Sequence, residues 1–128
     1  MKVLFVVLLA LAGVYGTIAA QRPAKLDASK LLGVWKVDLR STPDAPAYYQ
    51  EFEVTAVDGS TFTGMFYNSR IKNGRLNVEK GAIYFAFTTE DGSSAYNTAG
   101  KLVGDGLEGT THSLGRKFLL PWAAEREK

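Results

Sequence analysis

Leu31-Leu32-Gly33-Val34-Trp35-Lys36-Val37-Asp38-Leu39-Arg40 decides the fold. Trp35, Val37 and Leu39 alternate with Lys36, Asp38 and Arg40, which makes a β-strand with one apolar and one charged face. Upstream, Asp27 to Gly33 has the form of one short helical turn that Asp27 can cap and Gly33 can end. Downstream, Pro43 and Pro46 forbid regular pairing and make Ser41 to Pro46 a loop.

The rest of the chain repeats the opening pattern. Tyr48, Gln50, Phe52, Val54 and Ala56 share one face of a second strand, and Asp58-Gly59 is a hairpin signal because both central turn residues need positive φ. A third strand, Thr61 to Tyr67, turns Phe62, Gly64 and Phe66 inward. Between Arg70 and Glu79, Ile71 has the opposite parity to Leu76 and Val78, so a regular strand could not bury all three. Either a bulge at Asn73-Gly74 switches the parity, or a tight hairpin there gives nine strands; the short flanking pieces favour the bulge. Ile83, Phe85 and Phe87 line a fifth strand, and Tyr96, Thr98, Gly100 and Leu102 a sixth. Leu107, Gly109 and Thr111 line a seventh, and Phe118, Leu120, Trp122, Ala124 and Arg126 an eighth.

Short connections make consecutive strands antiparallel neighbours, and closing them on themselves removes the two exposed edges. The expected fold class is all-β, an eight-stranded antiparallel up-and-down β-barrel preceded by a short helical turn. Of thirteen aromatics after residue 20, ten fall on inward positions and only Tyr49, Tyr67 and Tyr84 face out, which a single interior explains.

Residues 1–20 carry one charge at Lys2, an apolar run from Val3 to Tyr15, and a small-residue end, Thr17-Ile18-Ala19-Ala20. That is the form of a signal peptide, and the run is shorter than the roughly 20 residues a membrane span needs. The expectation is a secreted or periplasmic protein whose single domain is residues 21–128, with no membrane span after cleavage. Without Lys2 the chain has 14 basic against 13 acidic residues, a balance that argues against a nucleic-acid partner. No cysteine is present, so there is no disulfide, thiolate metal site or thiol nucleophile.

Gly33-x-Trp35 after a helical turn, eight antiparallel strands, and Arg126 at the end of the last resemble the calycin superfamily, the lipocalin and avidin kind of barrel. The resemblance implies that Trp35 packs at a closed end against the basic side chain of Arg126. Phe52-x-Val54-Thr55-Ala56-x-Asp58-Gly59 with Thr63-Gly64 is similar to the second and third strands of avidin-type proteins, as is Ser94-Ala95 in a later strand. The biotin chemistry does not carry over. Val37 stands where that family has Asn, Phe66 stands where it has Tyr, and Tyr84, Phe85 and Phe87 replace its later tryptophans.

Gly104-Asp105-Gly106-Leu107-Glu108-Gly109 matches G-x-G-x-x-G, but no helix follows, so it is a hairpin turn. His112 and Glu108 take outward positions, as do Glu51 and Glu53, and neither pair makes a metal site. No nucleophile, base and orienting group can be assembled, so no catalytic residue or cofactor is expected. The function expected first is non-catalytic binding of a small, mostly apolar ligand inside a lipocalin-like barrel. Tyr48, Gln50, Tyr96 and Thr111 would orient it, with Phe52, Phe62, Phe66, Phe85 and Phe87 as walls. The alternative is a solid barrel that binds a protein partner or a second copy through an outer patch containing Met65, Tyr67 and Tyr84. A third reading is an isomerase or cyclase that needs no nucleophile.

Overall fold

The structure, a computed structural model, describes residues 27–79 and 81–128. The signal peptide expected over residues 1–20 lies outside the described residues, as does the lead-in that follows it. Asp27 caps the first turn, its carboxylate accepting the Ser29 backbone N–H at 2.9 Å. The turn is a single 3-10 turn, Ala28–Leu31. Nine strands follow: β1 (Gly33–Asp38), β2 (Tyr49–Asp58), β3 (Thr61–Phe66), β4 (Ser69–Arg70), β5 (Lys72–Glu79), β6 (Ala82–Glu90), β7 (Ala95–Val103), β8 (Gly106–Ser113) and β9 (Phe118–Arg126).

Their order in the sheet is β2-β1-β9-β8-β7-β6-β5-β3-β4, and β2 also pairs with β3, which closes the ring. Eight antiparallel strands form the barrel. The ninth, the two-residue β4, pairs with β3 after a tight turn in which Tyr67 and Asn68 both take positive φ, at 52° and 63°. The bulge at Asn73-Gly74 is present. Asn73 has φ of 56° and the register of β5 against β6 shifts between Lys72 and Arg75. The extra residue brings both Ile71 and Leu76 into the core, as their opposite parities require.

A second bulge was not legible. The β2–β3 register shifts between Val54 and Ala56, so Val57 pairs with Phe62 and packs on the core, whereas Ala56, expected inward, is exposed. No glycine or asparagine marks this bulge in β2.

One end of the barrel is held by a clamp. Arg126 lies over the Trp35 indole at 4.1 Å to the ring centroid, and its Nη1 and Nη2 donate to the carbonyls of Leu32 and Lys30, both at 2.7 Å. The Trp35 indole N–H donates to Leu31 at 3.0 Å. A Cβ at Gly33 would stand 2.8 Å from Arg126 Nη1, so glycine leaves room for the guanidinium. The clamp ties the 3-10 turn, the first strand and the last into one unit; a guanidinium on an indole face adds roughly 0.5 to 2 kcal/mol.

Side chains fill the lumen. Phe52 from β2 meets Phe85 and Phe87 from β6 at 5.5 and 5.2 Å between ring centroids, and Trp122 from β9 meets Phe66 from β3 at 5.8 Å. These pairs bridge walls that are not neighbours in the sheet. The rings fit because two facing wall positions have no side chain: Gly100 pairs with Gly109, and a Cβ on Gly109 would stand 2.4 Å from Trp122 Cζ2.

Gly109→Ala is therefore expected to lower the free energy of urea unfolding by about 1 to 3 kcal/mol, the cost of overpacking a filled core. Gly92→Ala, in a turn with nothing within 4 Å of a Cβ, is expected to stay within about 0.5 kcal/mol of the parent. Equal midpoints for the two variants would overturn the account of Trp122 lying on Gly109.

Candidate functional site

The five wall residues expected from the sequence come together. Phe52, Phe62, Phe66, Phe85 and Phe87 are all buried. Thr111 is buried beside them, where its hydroxyl receives the Trp122 indole N–H at 3.0 Å and pairs with the Thr98 hydroxyl at 3.0 Å. Its partners are thus protein groups. Among the described residues every buried side-chain nitrogen and oxygen has a hydrogen-bond partner.

Of the other three orienting residues, Tyr48 is exposed, which corrects the inward position expected for it, whereas Gln50 and Tyr96 keep the inward parity and stand half-buried where the lumen ends. Tyr48 precedes β2, where the wall has ended, and its carbonyl accepts the Leu39 N–H at 2.8 Å. Its ring stands 42% exposed, edge-on to Tyr67 at 6.1 Å. Tyr96 sits near the start of β7, donating its hydroxyl to Asp91 at 2.7 Å and packing on Phe118. Phe118, also expected inward, opens β9 and is exposed. Gln50 is half-buried opposite Val37. Alternation points these residues inward only while the surrounding wall continues, and here the wall runs out.

What they build is the rim opposite the clamp. Asp91 orders it: its carboxylate also accepts from the Ser93 N–H at 2.8 Å, the Ser93 hydroxyl at 2.9 Å and the Ser94 N–H at 2.9 Å. The Tyr96 hydrogen bond, then those from Ser93, hold this carboxyl well below the usual carboxylate range. Burial first, and the bond to Asp91 second, push the Tyr96 phenol up. Next to it, the fully buried Ser113 pairs with Ser94 at 2.9 Å and accepts the Arg116 N–H at 3.1 Å, while Gly115 donates to Ser94. Ser94 gives its one hydroxyl hydrogen to the Ala95 carbonyl, so Ser113 must donate to Ser94, whose hydroxyl is then fully used. Sequence reading missed this network, although Asp91-Gly92-Ser93-Ser94 carries the signal of an aspartate accepting from the backbone two residues on.

Around the rim, the exit of β1 is braced by Arg40, whose Nε donates to both oxygens of Asp38, at 2.9 and 3.0 Å. Large apolar side chains remain exposed in an arc: Tyr48, Tyr49 and Tyr67 on the β2–β3 side, and Leu114, Phe118 and Leu119 on the β8–β9 side. Strand order makes these sides neighbours through β1.

The remaining sequence candidates separate. Met65 pairs with Arg70 toward the rim, whereas Tyr84 stands opposite Asn77 toward the clamp, so Met65, Tyr67 and Tyr84 do not form one patch. Glu108 faces Lys101 at 3.9 Å, and a hydrogen bond to Glu127 pushes the exposed Glu51 carboxyl up. Among the described residues no group of three His, Asp or Glu side chains stands close enough to hold a metal ion, and no helix is long and apolar enough to cross a membrane. No family model, curated protein or solved structure matches the chain.

Asp91→Ala is expected to lower stability through the rim. Because the folded-state pKa is depressed, this contribution is complete above about pH 5 and is lost as the pH falls below 3.8 toward the folded value. Thermal unfolding of parent and variant across pH 2 to 7 should show melting temperatures that differ at neutrality and converge in acid. A constant offset at every pH would show that the carboxylate charge is not what matters.

Proposed function

We propose that the protein is a non-catalytic binding module that engages a protein partner through the aromatic rim opposite the clamp. The observation that carries this reading is where apolar surface remains. Six of the nine large hydrophobic side chains exposed among the described residues belong to that rim arc. Half-exposed tyrosine and phenylalanine are the residues that anchor protein interfaces, since they bring large area at small entropic cost. The Asp91 network supports the same reading by fixing the backbone from which Tyr96 and Phe118 project, which lowers the ordering cost of binding.

A small apolar ligand inside the barrel fits the apolar character of the walls. It would have to displace a ring from the Phe52, Phe66, Phe85, Phe87 and Trp122 stack, whose members already touch. Among the described residues the fully buried polar side-chain atoms already have partners, which leaves none of them to orient such a ligand. Taken with the leader-like residues 1–20, the partner is an exported protein or another copy of this chain.

Native mass spectrometry of the protein from its own source, beside a Tyr48→Lys, Tyr67→Lys double variant, tests the proposal. The expected result is a bound polypeptide whose affinity falls at least about tenfold in the variant, the scale of losing an interface anchor. A bound small molecule retained by that variant and lost from Thr111→Leu would overturn it in favour of the lumen.

A further inference from the structure

The outer wall of β5 to β8 carries a hollow that neither the rim nor the lumen uses. It is a shallow depression of about 410 Å³, open to solvent, and the side chains of Arg75, Ala86, Asn97, Ala99, Thr110 and His112 around it are exposed. Two bare methyl groups make the floor, Ala86 and its cross-strand partner Ala99. In the same row Arg75 flanks Ala86 and Thr110 flanks Ala99; Asn97 and His112 flank them one step nearer the rim. Four strands wide, the hollow runs about 14 Å from Arg75 to Thr110.

Its charge is unbalanced. Lys72 pairs with Glu90 and Lys101 with Glu108 on the surrounding wall, but among the described residues no carboxylate lies within ion-pair distance of Arg75. The polar groups also differ from a simple cationic patch. Asn97 and Thr110 each both donate and accept, His112 does so when neutral, and none of the three side chains has a hydrogen-bond partner among the described residues. Groups of that kind match hydroxyls, which also donate and accept, better than they match phosphate oxygens, which accept only. The planar fork of Arg75 matches a carboxylate.

We propose that this hollow binds a small hydroxylated carboxylate, a sugar acid of one or two rings. The carboxylate pairs with Arg75, the C–H face of the ring lies on Ala86 and Ala99, and ring hydroxyls bond to Asn97, Thr110 and His112. The site lies on the wall and stands whether or not the rim binds a partner.

The test is a titration of isotopically labelled protein with glucuronate and with digalacturonate to about 50 mM, followed by amide chemical shifts. Saturating shifts confined to Ala86, Ala99, Thr110, His112 and their neighbours are expected, with affinity at least about tenfold lower in Arg75→Gln. Ala99→Leu, which fills the floor from an exposed position, is expected to remove binding; the same spectra report whether each variant is folded. Glucose should give no saturating shift. The proposal is overturned if neither sugar acid saturates, if Arg75→Gln leaves affinity unchanged, or if inorganic phosphate binds as well as glucuronate does.

Discussion

The interior of an eight-stranded barrel has a fixed cross-section, and this chain fills it with rings. An eight-stranded ring is just wide enough to be packed by its own side chains or to hold one small ligand. Here Phe52, Phe62, Phe66, Phe85, Phe87 and Trp122 approach one another at centroid distances from 5.2 to 6.5 Å. Without a disulfide, this packing and the ladder around it carry the stability of the domain. The glycines at 100 and 109 belong to the same constraint, because the wall must thin where Phe85 and Trp122 lie against it.

Filling the lumen leaves the exposed polar and aromatic groups on the outside. Buried hydroxyls at Thr98, Thr111 and Ser113 are consumed by neighbours, so polar chemistry available to another molecule lies on the rim and the wall. The rim gains rigidity from Asp91, Ser94 and Ser113, three short side chains that hydrogen-bond loop backbone and neighbouring hydroxyls, those of Ser93 and Tyr96 included. A surface held in this way meets a partner with little rearrangement.

Most of the fold was legible in the sequence because alternation and turn chemistry agreed. Trp35, Val37, Ile83, Phe85 and Phe87 lie inside as their parity requires, and Asn73-Gly74 carries the bulge that the clash between Ile71 and Leu76 demanded. Parity failed where its premise failed. It assumes an unbroken ladder and a wall on every side, and β2 breaks the first after Val54 while Tyr48 and Phe118 escape the second at the rim. The candidate site was harder to foresee. Asp91 and Ser113 act through contacts between β6, β7 and β8 turns, and Arg75 meets His112 only across three strand spacings; neither relation has a local spacing in the chain.

The Trp35–Arg126 clamp also sets the order in which the molecule can be finished. Arg126 reaches back to a carbonyl 94 residues earlier, so β1 has no second neighbour until the far end of the domain has been synthesised. At roughly 5 to 20 residues per second, that interval lasts about 5 to 20 s. Through it β1 offers an unpaired edge that another nascent strand could cover, and closure between distant segments is itself slow, in the range of milliseconds to seconds. The ring therefore cannot close until synthesis of the domain is complete, and the surface left open until then is the β1 edge that β9 will later occupy.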